Sequence, residues 1–236
     1  MKTKSILTLL IAFFSMAYLQ AQQGDEEMKM LFNKKEKEKT EKQKMANGGY
    51  GSFSVGYTQI DGQDAMVIGG RAAWVANHRF ALGIAGRGFF NNFSEDRYYD
   101  PNYNPNYDPN YSLAGGYGGI FVEPIVAWSY PVHVSFPILI GAGGVAATPS
   151  SWKYVDQYNN YYYSTDAFFV LEPGVDLEFN ITKFFKIALG GSYRYTSDIY
   201  VQHKYLNDSD ETVYKTVAKD ALRNFNVDIS FKFGWF

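Results

Sequence analysis

From Gly48 onward, apolar and polar residues alternate with a period of two in eight segments of the chain. This pattern is typical of β-strands that have one apolar face. Most of the segments reach or exceed the about 9–11 residues with which a tilted strand crosses a bilayer. The predicted strands are roughly 49–60, 64–76, 79–93, 114–129, 132–147, 166–181, 184–199 and 213–236.

The connections between these segments differ in length in a regular way. Short links occur at 77–78, 130–131 and 181–183, whereas the others are a turn at 61–63 and long polar stretches at 94–113, 148–165 and 200–212. Transmembrane barrels have short periplasmic turns and longer outer loops. We therefore predict an all-β fold over residues 48–236, namely an eight-stranded antiparallel up-and-down transmembrane β-barrel. Its N-terminal tail and C-terminus are predicted to be periplasmic.

The first 47 residues have a different character. Lys2 and Lys4 precede an apolar stretch, and Ala21 is a small residue at a possible cleavage site. This pattern is typical of a secretory signal peptide, which we predict for residues 1–21. Residues 22–47 are dense in charges of both signs, so we predict a solvated periplasmic tail. A contact of this tail with the cell wall or with a partner is the alternative.

Composition excludes several classes of function. Cysteine is absent, which rules out disulfides, thiol catalysis and thiolate metal sites. Removing Lys2 and Lys4 from the 22 basic residues leaves 20 against 24 acidic residues, a net charge of −4. That balance does not indicate nucleic-acid binding. His78, His133 and His203 lie on separate predicted elements, so we predict no metal site and no cofactor.

Each predicted strand presents an apolar face and a polar face. A soluble sandwich also alternates, but its apolar face is internal. Here the polar face is rich in Gly, Arg and Glu, as expected for a narrow lumen. Trp74, Trp128 and Trp235 fall near the predicted periplasmic strand ends, and Trp favours the membrane–water boundary. We predict that these three residues form a periplasmic aromatic girdle.

The polar face supplies five basic and five acidic residues to the predicted lumen. An unpaired charge there would be costly, so we predict an ion-pair network inside a filled barrel. A narrow path for solutes or ions is the alternative. The predicted members are Arg71, Arg87, Glu123, Glu172, Asp176, Glu178, Lys186, Arg194, Asp228 and Lys232.

A tetrapeptide of the form Tyr-Asp/Asn-Pro-Asn occurs three times between 99 and 110. Tyr provides contact area at low entropic cost, as it does in binding loops. We predict outer loops that bind a glycan, a host protein or a phage, with a drifting low-complexity loop as the alternative. The binding candidates are Tyr99, Tyr103, Tyr107, Tyr111, Tyr161, Tyr162 and Tyr163.

The signal peptide, the eight alternating strands and the terminal aromatic residue together resemble small outer-membrane β-barrels of the OmpA/OmpX type. The Ala21-Gln22 junction and the paired motifs at 122–124 and 171–173 resemble small barrel proteins of Bacteroidetes-type bacteria. The resemblance implies recognition of the last Phe by the barrel assembly machinery, with aromatics two and four positions earlier. Gly234 and Lys232 occupy those positions here, which indicates a bulge at Gly234 or a shifted signal.

Two further patterns bear on chemistry. Glu123-Pro124 and Glu172-Pro173 predict two kinked strands with inward glutamates, and a paired-carboxylate site is the alternative. The pattern His133-x-Ser135 resembles the catalytic pair of outer-membrane lipid A deacylases, but here it falls near a predicted periplasmic end. We predict a non-enzymatic outer-membrane protein that contacts lipid and lipopolysaccharide and has a structural or surface-interaction role. A narrow, porin-like channel or transporter for ions or small apolar solutes is the alternative.

Overall fold

The computed structural model describes residues 47–91, 111–149, 164–206 and 212–236. The predicted signal peptide and nearly all of the charged tail lie outside this part of the chain. No helix among the described residues is long and apolar enough to cross a bilayer. The strands are β1 (Asn47–Ile60), β2 (Gln63–Ala76), β3 (Phe80–Phe90), β4 (Tyr111–Val126), β5 (Val132–Ser135), β6 (Ile138–Pro149), β7 (Thr165–Thr182), β8 (Phe185–Thr196), β9 (Gln202–Leu206), β10 (Thr212–Thr216) and β11 (Asn224–Trp235).

The main sheet closes on itself as a ring of antiparallel pairs. Each of β1 to β4 pairs with the next strand, β5 and β6 share one position between β4 and β7, and β8 pairs with β7 and β11. β11 then pairs with β1, from Gly49 opposite Trp235 to Thr58 opposite Asn226. The ring has eight positions, which confirms the predicted eight-stranded antiparallel up-and-down barrel.

The two ends of the barrel differ in their connections. At one end, short turns follow β2, β4 and β7, and both Asn47 and Trp235 lie there; we call it the short-turn end. At the other, the long-loop end, the one short connection is Asp61-Gly62 between β1 and β2. Both of these residues have positive φ, 51° and 72°, as expected for a tight two-residue hairpin turn.

Three prolines lie at one height on neighbouring positions of the ring. Pro124 is on β4, Pro137 lies between β5 and β6, and Pro173 is on β7. Phe136 N–H still donates to Pro124 O at 2.9 Å, and Gly174 N–H to Pro137 O at 2.7 Å. Proline has no N–H, so the return bonds of both pairs cannot form. We call Pro124, Pro137 and Pro173 the proline seam.

The seam interrupts bonding without displacing the strands. β5 and β6 keep one common register against β4 and one against β7. The predicted kinks at Pro124 and Pro173 therefore bring no register shift. The shift in β7 occurs instead between Asn180 and Thr182.

The last predicted strand, 213–236, is corrected at its start. β11 begins at Asn224, and residues 213–216 belong to β10, which pairs with β9 in a separate hairpin. The predicted loop at 200–212 thus contains part of that hairpin. We call residues 197–206 and 212–223 the mouth cap.

The predicted bulge at Gly234 does not occur. β11 keeps one register against β1 through this position. A Cβ atom on Gly234 would lie 2.1 Å from the carbonyl oxygen of Gly49. Glycine is therefore required here by the close approach of the two backbones.

Candidate functional site

The outer wall of the barrel is apolar all the way around. Ile84 is 67% exposed and Phe169 is 74% exposed, although large apolar side chains are usually buried in water-soluble proteins. Every one of the eight ring positions contributes at least one such side chain. We define the apolar belt by one residue from each position: Phe53, Ile68, Ile84, Ile120, Ile140, Phe169, Leu189 and Val227.

The lumen near the short-turn end is filled by charged groups around Lys232. Its ammonium lies 2.6 Å from Glu123 Oε1 and 2.6 Å from Glu178 Oε1. The Ser135 hydroxyl lies 2.7 Å from each of the same two oxygens. Tyr50 donates its hydroxyl hydrogen to Glu123 Oε2. We define the Lys232 cluster as Tyr50, Glu123, His133, Ser135, Asp176, Glu178, Lys186 and Lys232.

A second buried cluster lies further toward the long-loop end. Arg87 Nη1 is 2.9 Å from Asp228 Oδ2 and 3.4 Å from Glu172 Oε1. Glu172 also accepts hydrogen bonds from Ser192 Oγ at 2.6 Å and from Tyr117 OH at 2.5 Å. Every oxygen of this glutamate therefore has a donor, as a buried carboxylate requires.

Nine of the ten lumen residues named from the sequence make ion pairs with one another. Arg71 pairs with Asp176 at 2.8 Å and so joins the Lys232 cluster to the middle of the lumen. The exception is Arg194, which has no carboxylate within 4.0 Å among the described residues. Sequence reasoning missed the uncharged partners, although each lies at an inward position of its strand: Tyr50, Tyr117, Ser135, Ser192 and Asn226.

Glu123 and Glu172, considered from the sequence as a possible carboxylate pair, belong to different clusters. Glu123 instead lies with Asp176 and Glu178, and one oxygen of each falls within 4.8 Å of the others. Three converging carboxylates are also a ligand set for a hard cation. In this protein the ammonium of Lys232 lies 2.6 to 3.5 Å from all three, so the chain supplies its own cation.

Beneath the mouth the lumen contains mainly apolar side chains, with Arg194 and Thr196 buried among them. Leu113, Phe89 and Phe168 are buried there, and the mouth cap adds Leu222 and Ile199, both 0% exposed. The cap is fastened by backbone bonds at several points. Asp61 N–H donates to Ala221 O at 2.9 Å, Tyr200 N–H to Asp166 Oδ2 at 2.7 Å, and Gln202 N–H to Ser164 Oγ at 3.0 Å.

A small cavity lies between the Lys232 cluster and the region beneath the mouth cap. The residues that line it include Arg71, Arg87, Glu172 and Ser192. Its volume is about 10 Å³, room for about one water molecule. The charged groups on one side of this cavity and the apolar side chains on the other are buried.

Of the three residues predicted to form an aromatic girdle, two are exposed on the outer wall and one is buried. Trp74 is 50% and Trp235 is 80% exposed on the outer wall. Trp128 differs, because it is 8% exposed and stacks on His78 with ring centroids 4.4 Å apart. Burial lowers the pKa of His78, which favours a neutral ring against the indole. Trp128 therefore packs inside the turn region of the short-turn end.

The predicted binding loops lie mostly outside the described residues, as do Tyr99, Tyr103, Tyr107, Tyr161, Tyr162 and Tyr163. Tyr111 is described and departs from the prediction. It is the first residue of β4, is 7% exposed, and donates its hydroxyl hydrogen to Asp61. Tyr111 therefore fixes the start of a strand beside the β1–β2 turn and is not a loop residue.

The His133-x-Ser135 pattern lies inside the barrel. Ser135 is 0% exposed and bonds to Glu123 and Glu178, and His133 Nε2 is 3.0 Å from Glu178 Oε2. A lipid acyl chain on the outer wall cannot reach a hydroxyl held in this way.

Among known proteins, no family model matches the chain and no curated protein matches it in sequence. Solved structures with a similar course of the chain include the N-terminal β-barrel domain of Pseudomonas aeruginosa OprF, with 8% identity, a TM-score of 0.47, and coverage of 81% of this chain and 100% of that one. Neisserial surface protein A shows 8% identity and a TM-score of 0.48, covering 81% and 99%. Ail, the attachment invasion locus protein of Yersinia pestis, shows 11% identity and a TM-score of 0.44, covering 80% and 97%. At these identities and TM-scores the likeness carries no conclusion about function.

Proposed function

We propose that this protein is a non-conducting bacterial outer-membrane β-barrel with a structural or surface-interaction role at its long-loop end. One observation carries the proposal: the apolar belt faces outward at all eight ring positions while the charged residues face inward. In water this arrangement would leave a continuous apolar surface unburied. In a bilayer the apolar outer face contacts lipid, and the charged inner face is enclosed in the lumen.

The closed ring supports a membrane location for a second reason. Hydrocarbon offers no hydrogen bonds, so only helices and closed barrels satisfy their backbone groups within a bilayer. The pairing of β1 with β11 removes the two free edges that an open sheet would have. An expected result is that the protein sediments with the outer membrane after expression in a bacterium, and recovery in the soluble periplasmic fraction would contradict the proposal.

The difference between the two ends supports one orientation in the membrane. Short turns of bacterial barrels are periplasmic and long loops are external. We therefore assign the short-turn end, with Trp74 and Trp235, to the periplasmic side, where the assembly machinery acts. The mouth cap and the described strand ends at 91, 111, 149 and 164 then face lipopolysaccharide and the medium.

An interaction role is supported by what the long-loop end exposes. Tyr200 is 62% and Tyr214 is 55% exposed on the mouth cap, and the Lys219 ammonium lies 4.9 Å from the Tyr200 ring centroid. The segments 92–110 and 150–163, which lie outside the described residues, carry the repeated Tyr residues of the sequence. Exposed Tyr with polar neighbours is a composition suited to binding a glycan, a host protein or a phage.

The interaction role is tested by deleting residues 99–110. The deletion stops short of Tyr111, because that side chain contacts Asp61 inside the fold. The barrel should still fold, and adhesion or phage adsorption by cells that carry the variant should fall several-fold. The matched control replaces Pro101, Pro105 and Pro109 by Ala, which keeps every Tyr. Unchanged adhesion in the deletion variant would contradict a binding role for this loop.

The buried charged groups of the lumen and the buried residues of the mouth cap argue against the channel alternative. The cavity of about 10 Å³ in its middle holds about one water, and the mouth cap lies above it. We expect no discrete conductance steps from the full chain in a planar bilayer. Steps that persist in wild-type protein would show that the barrel conducts.

A further inference from the structure

Arg194 is a buried cation without an ion-pair partner among the described residues. Its side chain on β8 is 0% exposed, and its Nε donates to Leu222 O at 2.6 Å. The terminal nitrogens Nη1 and Nη2 are buried and have no hydrogen-bond partner in the part of the chain that the structure describes. The described residues place no carboxylate within ion-pair distance of this guanidinium.

The two acidic groups of the second buried cluster, Glu172 and Asp228, already have other partners. Glu172 accepts from Ser192, Tyr117 and Asn226, and it lies 3.4 Å from Arg87. Asp228 is 2.9 Å from the same Arg87. Reorienting either carboxylate toward Arg194 would leave a different buried donor or cation without its partner, which is itself costly.

Aromatic rings provide only part of the compensation. The guanidinium carbon of Arg194 lies 5.3 Å from the Phe89 ring centroid and 5.8 Å from that of Tyr117. Attraction to a ring face stabilises a cation less than burial without an anion destabilises it. It also leaves the N–H hydrogens in the plane of the guanidinium without acceptors.

We propose that Arg194 holds a small monovalent anion of about the size of chloride beneath the mouth cap. Thr196 occupies the next inward position of β8 and is 0% exposed, and its hydroxyl has no hydrogen-bond partner among the described residues either. Together these two residues offer the donors that such an anion needs. Leu222, which accepts the Nε hydrogen bond of Arg194, is itself 0% exposed, so only a small ligand is expected there.

Crystals of the refolded full chain grown in sodium bromide test the site directly. We expect an anomalous difference peak at the bromine edge within hydrogen-bond distance of Arg194 Nη1 or Nη2. A map that shows only water at these nitrogens, or no density, would overturn the proposal. This experiment needs no variant and does not depend on the proposed function.

A solution experiment adds a specificity control. The thermal midpoint of wild-type protein in detergent should rise with chloride when gluconate keeps the ionic strength constant. Arg194→Met should lose this dependence, whereas Lys219→Met should retain it, because Lys219 is an exposed cation of the mouth cap beside Tyr200. A wild-type midpoint that ignores chloride, or an equal chloride response in Arg194→Met, would overturn the proposal.

Discussion

Near the short-turn end the lumen is filled by the Lys232 cluster, whereas under the mouth it is filled by Leu113, Phe89 and the mouth cap. The charged half is built only from strand residues, whose inward direction is fixed by alternation and register. The apolar half relies in addition on a segment that leaves the barrel and folds back over it. One half is therefore held by mutual charge neutralisation, and the other by packing of separate parts of the chain.

The largest expected effect comes from removing the central cation of the charged half. Lys232→Met leaves Glu123, Glu178 and Asp176 without the ammonium that lies among them. Breaking a buried ion network in this way costs about 3–5 kcal/mol. Urea unfolding in lipid vesicles measures it, with the exposed Lys219→Met as the matched control. A cost below about 1 kcal/mol would show that the cluster is not a tight ionic network.

A charged side chain on the outer wall of the charged half should destabilise the barrel, although the inner face of that half contains many charges. Leu177 lies on β7 between Asp176 and Glu178, which point inward, and is 38% exposed on the outer wall. Leu177→Arg is expected to cost about 2–4 kcal/mol in a bilayer. Ala218→Arg on the exposed mouth cap should cost far less in the same unfolding assay. Equal costs at the two positions would mean that the outer wall is not in lipid.

The apolar half should respond to lost packing. Leu222→Ala empties space beneath the mouth cap, and we expect a loss of about 2–3 kcal/mol, the low end for a buried leucine because the cap can settle. Thr216→Ala, at an exposed position of the same cap, is the control. If Leu222→Ala unfolds like wild type, the cap does not contribute to the core.

The smallest effect is expected at the surface pair of the cap. Arg223 Nη2 lies 2.5 Å from Asp198 Oδ1, and the two side chains are 24% and 47% exposed. Asp198→Asn should cost less than about 1 kcal/mol, and the difference should shrink further in high salt because exposed charges are screened. A larger, salt-independent loss would indicate that this pair is as buried as the lumen clusters.

The fold and the charged lumen could be predicted because both follow from alternation. A strand of period two fixes which residues face inward, so Lys232 and Glu178 could be assigned to the lumen from sequence alone. The contacts between them could not, because they depend on how neighbouring strands are staggered. The same limit hid Tyr50 and Ser135, which are inward but uncharged.

The mouth cap could not be predicted, for a different physical reason. Residues 213–216 alternate like a barrel strand, yet they form β10 and pair with β9 outside the ring. Alternation indicates that a strand has one apolar and one polar face, but it does not indicate which strand it pairs with. The prediction for Trp128 met a similar limit. The sequence places this residue near a strand end but does not show whether its ring faces outward or packs within the turn region, where it stacks on His78.

We expect the backbone hydrogen bonds of the barrel to open first at the proline seam. The prolines remove backbone hydrogen bonds between β4, the β5–β6 position and β7. The hydrogen bonds donated by Phe136 N–H and Gly174 N–H therefore lie beside positions where the return bond is missing. Local opening begins where cross-strand bonds are sparse. In a hydrogen-exchange experiment, the amide protons of Phe136 and Gly174 should therefore be replaced by deuterium well before those of the continuous β1–β2 pair, so that the wall parts along one line while the rest stays closed.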